Sequence, residues 1–443
     1  MFHLLSQEQK EFGRRAFLKA AALFPAIHSV AQPSRRDEPV KAVIVGTGDQ
    51  GQVLLEQCNP KFLHIQAVCD IRPANRLRGQ TLAQKRFGNQ ARAYLDYQEM
   101  LQQEEDIDAV LIATPLWMHA PVALAALQAG KHVFCEKAMA HTIAECREML
   151  QLAQKNNLVL QVGHQRFYNP VYHQIYRMIL EDTIGEIYHV RCLWHRNNDW
   201  RRVPKPEDVQ AVRSGELDPR QYGYGSLEEL VNWRLYGKYS GGLAAELMSH
   251  QVSITNWIFN SLPERVSSSG GTFCYQDGRN IADHIYSTFE YPGGRVVTYS
   301  AIQSNGFDHY YEQFMGRRGT IIVSGETESY LFMNPDELAQ EELRATQLGI
   351  ASDDVNSATM MASASRARDA AGVLSSGESS DTGFGVLVPY QTELEGFANS
   401  IRMGAPNYCD GKMGLEAAAT VLLANESLAR GEKVEIRGKL NTA

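Results

Sequence analysis

Apolar residues in the first half of the chain cluster in short continuous runs. They occur at Val40–Val45, His64–Cys69, Ala109–Ala113, His132–Cys135 and Leu158–Gly163. Runs of this length, bounded by turn residues, read as strands buried on both faces. Stretches of helical character separate them: 52–57, the Ala- and Leu-rich Val122–Ala129 closed by Gly130, and about 142–155. Strands alternating with helices predict a parallel, doubly wound sheet over 40–163. The second half is patterned differently. Residues 281–303 alternate and turn at Pro292-Gly293-Gly294, which predicts a β-hairpin. Phe314–Ser324 predicts another strand pair around Gly316-Arg317-Arg318-Gly319, and Ile187–Leu193 a further strand. A helix is expected from the Gly241-Gly242 pair to about Phe259. A last one, Lys412–Leu428, is expected to pack back on the first domain. Residues 349–383 are rich in Ser, Ala, Asp and Gly with little periodicity, which reads as a mobile surface insertion or lid.

The first strand runs straight into Gly46-Thr47-Gly48-Asp49-Gln50-Gly51, and the second ends at Asp70. Gly46 suits the tight strand-to-helix turn, Gly48 the close approach of backbone to a pyrophosphate, and Gly51 the packing of helix on strand. The helix N-terminus offers amide donors to the phosphates. Asp70 can accept from both ribose hydroxyls of an adenosine and would repel a 2′-phosphate. This predicts a Rossmann domain binding NAD in preference to NADP, with the NADP alternative kept open by Arg72. Ligands in such sheets sit at the carboxyl ends of the strands; Thr114, His119, Lys137 and His164 fall at or just past those ends.

Composition narrows the classes. The chain has 443 residues, 44% hydrophobic and 21% charged, and a net charge of −8, so it can bury a core and is not an overall basic nucleic-acid binder. The seven cysteines are scattered without a CxxC, implying neither a zinc ribbon nor a disulfide scaffold. No apolar run approaches the ~20 residues of a membrane span. Residues 1–31 carry Arg14-Arg15 before Phe17-Leu18-Lys19, a short apolar stretch, and small residues at Ser29 and Ala31. This resembles a twin-arginine signal peptide, followed by a polar linker over 32–39, and predicts export to the periplasm or beyond by a route that carries folded proteins.

The segments GTGDQG, CDIRP, ATPLWMHAPVALAALQAGKHVFCEKAMA and VGHQRFYNP resemble the Gfo/Idh/MocA oxidoreductase family in order and spacing, as does the stretch from Gln391 to Ile436. The resemblance implies an NAD-binding Rossmann domain followed by an α+β domain, about 164–411, with a large open, mostly antiparallel sheet that binds a sugar or polyol. The tail, 412–443, then returns to the Rossmann domain. A homo-oligomer formed through the open sheet is expected. By position, Lys137 matches the lysine of the family's Glu-Lys-Pro motif, with Ala138 in place of the proline. Thr114, Pro115, His119 and Glu136 match positions lining the cofactor, and Arg166 a position near the nicotinamide. Glu246 and His250 stand where the family typically has Asp-x-x-x-His.

Oxidation of a carbinol needs a group that takes the hydroxyl proton as the hydride leaves. A neutral His250 suits that task, a Lys137 ammonium stabilises developing alkoxide charge, and Glu246 can orient the imidazole or pair with the lysine. A metal at Glu246 and His250 lacks an evident third ligand. Trp194–Arg202 and Asn232–Tyr236 are dense in groups that suit sugars: Trp200, Trp233 and Tyr236 for the CH face, Arg201 and Arg234 for hydroxyls. The alternative is a charged loop beside a core tryptophan, or an anion site built from Arg196, Arg201 and Arg202. The expected function is an exported NAD-dependent oxidoreductase acting on a sugar, glycoside or polyol. A redox-assisted glycosidase and a non-catalytic cofactor-holding sugar sensor are the alternatives.

Overall fold

The computed structural model describes residues 38–334, 372–376 and 388–441. The signal-like segment 1–31 and most of 349–383 lie outside the described residues.

Six parallel strands form the first sheet: β1 Val40–Val45, β2 Leu63–Cys69, β3 Arg92–Tyr94, β4 Ala109–Ile112, β5 His132–Glu136 and β6 Leu160–Gly163. Their order, β3-β2-β1-β4-β5-β6, is doubly wound with its switch between β1 and β4. β1, β4 and β5 are almost wholly buried, which explains their unbroken apolar runs. The helix Ile143–Lys155 opens with a capping box, Thr142 and Glu145 satisfying each other's backbone amides.

The second sheet has nine strands among the described residues. They are β7 Ile187–His195, β8 Arg265–Gly271, β9 His284–Glu290, β10 Val296–Ile302, β11 Tyr310–Gly316, β12 Gly319–Ser324, β13 Glu328–Met333, β14 Gly372–Ser376 and β15 Val434–Glu435. Their order is β14-β13-β12-β11-β7-β10-β9-β8-β15, antiparallel throughout except for β7 beside β10. The β9–β10 hairpin turns at Pro292–Gly294, with Glu290 opposite Val296. β14 falls inside the segment expected to be without regular structure and pairs with β13.

The helix Gly411–Arg430 packs on β6: a Cβ on Gly414 would overlap the Val162 side chain, so the close approach requires glycine. The helix carrying His250 spans Ser249–Phe259 and is preceded by one wide π-helical turn, Ala244–Met248. The expected continuous helix is therefore interrupted between Glu246 and His250, at the position where π-bulges commonly sit in functional sites.

Candidate active site

A cavity of about 1090 Å³ runs from the β1 turn to the helix of His250. At one end Gly46 has φ +89°, and a Cβ there would meet the Ala113 carbonyl at 2.5 Å; a Cβ on Gly51 would overlap the Gly46 carbonyl. The turn closes only with glycine at both positions. Gly48 caps the helix Asp49–Gln57 with no side chain over the first amides. The loop thus leaves a bare backbone cradle at a helix N-terminus, which fits a dinucleotide's pyrophosphate.

Asp70 accepts from the amides of Thr47 and Arg72, each at 2.8 Å. Burial raises its pKa, and these two amides oppose the rise. Two carboxylate oxygens offer more lone pairs than the amides use, which leaves capacity for ribose hydroxyls. Arg72, by contrast, is committed. Its Nε lies 3.2 Å from Asp208, a fully buried carboxylate of the second domain, and its Nη2 binds the other oxygen. Arg72 lines the cavity with its guanidinium already holding an anion, which favours NAD over NADP at this end.

Thr114 and Pro115 line the cavity, and the Thr114 hydroxyl is buried without a partner. His119 also reaches the wall, but its ring nitrogens lie 2.9 Å from the Ala138 carbonyl and 3.0 Å from that of Thr114, so it fixes two loops. Gln50 donates to Glu136 at 2.7 Å. Burial pushes the Glu136 carboxyl up to about 7, against the opposing Lys137 charge.

Lys137 leaves the end of β5, and its Nζ donates to the Glu246 main-chain carbonyl at 3.1 Å. The peptide bond between Lys137 and Ala138 is cis. His250 is buried, and its Nδ1 has no partner. Burial, then the charges of Lys137 and Arg166, hold its pKa well below the ordinary imidazole value, so it is neutral. Glu246 does not touch the imidazole. It pairs with Arg234 at 3.0 Å, and although burial raises its pKa, Arg234 and Lys137 bring it below the usual carboxylate value. Of the two roles expected of Glu246, orienting the imidazole or pairing with the lysine, no hydrogen bond to His250 accompanies the first, and the Lys137 charge acts on the carboxylate in the second.

Trp200, Arg201, Trp233 and Arg234 line the other end of the cavity. Arg201 is braced by Glu228 and by Asp277, the latter at 3.0 Å. Arg234 stacks 4.3 Å over Trp233. Tyr236 is not on the wall; its hydroxyl donates to Glu228. Arg166 is fully buried away from the wall between Glu312 and Glu326, both of the second domain, the latter 2.9 Å away. It is a core ion-pair residue that stands 5.4 Å over the Trp194 ring and does not line the cavity.

Four residues on or beside the cavity escaped the site assignment from sequence. The His164 ring stands 6.1 Å from that of His250, and Trp194 5.4 Å from it. Arg196 and Tyr390 line the wall, the latter from the helix Val388–Met403. His164 is legible at a strand end, and Trp194 and Arg196 in the polar, aromatic stretch Trp194–Arg202; Tyr390 carries no local signal, because long-range folding alone brings it there. Among the described residues no cluster of three His, Cys, Asp or Glu could hold a metal, and no helix is long and apolar enough to cross a membrane.

Residues 40–164 match the oxidoreductase family model for an NAD-binding Rossmann fold, and 177–436 the same family's C-terminal alpha/beta domain. The chain belongs to the Gfo/Idh/MocA oxidoreductase family. It is 34% identical to inositol 2-dehydrogenase of Salmonella typhimurium over 176 residues, 39% of this chain and 50% of that one. It is 27% identical to alpha-N-acetylgalactosaminidase of Shewanella oneidensis over 216 residues, 44% of this chain and 45% of that one. The chain thus spans about half the length of these curated relatives. An inositol dehydrogenase homolog from Azotobacter vinelandii, solved with NADH and myo-inositol, shares the fold at a TM-score of 0.65 and 18% identity, over 91% of this chain and all of that one.

Proposed function

We propose that the protein is an exported NAD-dependent oxidoreductase acting on a CH–OH group of a sugar, glycoside or polyol. The observation that carries this is the placing of Lys137 and an unpartnered neutral His250 in one cavity with the Gly46–Gly51 cradle and Asp70. When bound, NAD supplies the two-electron acceptor for the carbinol hydrogen. Gly46, Gly48, Gly51 and Asp70 would hold it, with Asp49, Gln50, Thr114, Pro115 and Glu136 around it. His250 accepts the hydroxyl proton at Nε2, the ring nitrogen left open to the cavity, Nδ1 being enclosed. Lys137 faces the same oxygen and offsets the negative charge that grows there. Arg234 keeps Glu246 ionised and away from His250, so the imidazole stays free to act as base. Trp200 and Trp233 cover the apolar face of the ring.

Export is supported by Arg14-Arg15 and the apolar stretch that follows. Outside the cytoplasm no NAD pool is expected, so the cofactor must be retained and the hydride returned. That favours a redox-neutral cycle, and the likeness to a glycosidase supports a second reading: oxidation, elimination of the aglycone and re-reduction. Product analysis decides between them. A ketone or lactone indicates net oxidation; a released aglycone without net redox change indicates the glycosidase. Twin-arginine targeting is tested by fusing residues 1–40 to a reporter: export lost on Arg14-Arg15→Lys-Lys supports it, and a reporter retained in the cytoplasm contradicts it. Pairing of two copies across the outer face of the nine-stranded sheet, where Tyr286 is exposed, is tested by light scattering.

A further inference from the structure

Of the six arginines that line this cavity, four have a described carboxylate partner within ion-pair distance, and a fifth, Arg78, donates to the Asn75 side-chain oxygen at 2.8 Å. Arg72 holds Asp208, Arg201 holds Glu228 and Asp277, Arg202 holds Asp49, and Arg234 holds Glu246. Arg196 has none. Its guanidinium lies 5.3 Å over the Trp194 ring, its Nε is buried without a hydrogen-bond partner, and it faces the cavity. The same Trp194 ring stands 5.4 Å from that of His250, so the unmatched cation sits beside the proposed base.

The neighbouring guanidiniums already hold carboxylates: Arg234 pairs with Glu246, and Arg166, which also stands 5.4 Å over the Trp194 ring, pairs with Glu312 and Glu326. A partly desolvated, unpaired guanidinium is unfavourable unless a ligand completes it. Its planar donor fork matches a carboxylate better than single hydroxyls.

We propose that Arg196 binds a carboxylate of the substrate, and hence that the substrate is a sugar acid and not a neutral sugar. This rests on the oxidoreductase reading above and narrows it. Arg196 is then a specificity-determining residue, with Trp194 holding its fork next to the reacting carbon.

The test compares galacturonate, glucuronate and gluconate with galactose, glucose and sorbitol on the NAD-loaded protein. Nicotinamide absorbance and calorimetric binding are both recorded. The expected result is an acid preferred at least tenfold over its neutral counterpart. Arg196→Met should lower that preference by about ten- to a hundredfold, mainly through KM, and Arg196→Lys should restore part of it. Equal or better use of the neutral members, or an equal loss on both classes in Arg196→Met, overturns the proposal. Calorimetry separates the two claims. Acids that bind through Arg196 without changing the nicotinamide spectrum count against the oxidoreductase reading alone. Turnover of neutral sugars with no acid binding counts against the carboxylate site alone.

Discussion

Lys137 Nζ donates to the main-chain carbonyl of Glu246 at 3.1 Å, tying the end of β5 to the turn that leads into the helix of His250. The ammonium comes from the Rossmann domain and the imidazole from the other, and this bond sets one against the other. The Lys137 charge acts on the Glu136 and Glu246 carboxylates without an ion pair to either, while the Glu246 carboxylate pairs with Arg234.

Removing either group should stop chemistry without emptying the cofactor site. Lys137→Ala and His250→Ala are expected to lose about 10²- to 10⁴-fold in kcat, with NAD affinity within a fewfold of wild type. Steady-state kinetics with calorimetry check this. Near-normal turnover in either variant refutes the role given to it. Glu246→Asp should keep more activity than Glu246→Ala, because the shorter acid can still hold Arg234.

NAD should bind more tightly than NADP. Asp70 presents negative charge at the ribose, and Arg72 is neutralised by Asp208. Asp208→Asn releases the guanidinium and is expected to raise NADP affinity relative to NAD; Asp70→Ser should do so as well. Calorimetry showing tighter NADP binding to the wild type would count against this assignment.

Much of the cofactor half was legible in the sequence. The glycine loop, Asp70 and Lys137 are set by short-range order: a strand, its turn and the next strand end. The substrate half was legible in its hairpins and less so in its site. Arg166 read as a cofactor neighbour, yet it is buried against Glu312 and Glu326, some 150 residues away in the chain, and no local pattern announces such a pairing. The π turn Ala244–Met248 that carries Glu246 ahead of the helix of His250 has no signal in the residue spacing. Arg196 was visible as a charge, but its lack of a partner is a property of the fold.

Acid should destabilise the protein before carboxylates titrate. Burial lowers the His164 pKa from 6.5 to about 3. Between those values the unfolded chain binds a proton that the native state refuses, so stability falls as pH drops from about 6.5. Glu136 works in the opposite sense: raised to about 7, it favours the native state at lower pH and loses that contribution as pH rises through 7. His119 and His250, also held by burial below the ordinary imidazole value, act with His164 and outnumber Glu136, so urea midpoints should fall below pH 6.5 in the wild type and fall less in His164→Asn. Parallel profiles would contradict the buried neutral imidazole.

If the protein is exported with its cofactor, NAD should co-purify. Protein prepared without added nucleotide, then denatured, is expected to release close to one NAD per chain. An empty protein that exchanges NAD freely at millimolar concentration would be evidence against a retained cofactor.

The central claim is that carbinol hydrogen leaves as hydride beside Lys137 and His250. Single-turnover nicotinamide absorbance reads this directly, on mixing the NAD-loaded protein with sugars, sugar acids, polyols and glycosides. The account predicts a rise in the reduced-nicotinamide band with at least one class. The rise would persist under net oxidation and be transient in a redox-neutral cycle, and it would be lost in Lys137→Ala and His250→Ala. A flat trace with every class, while NAD and a sugar are both shown to be bound, would contradict it.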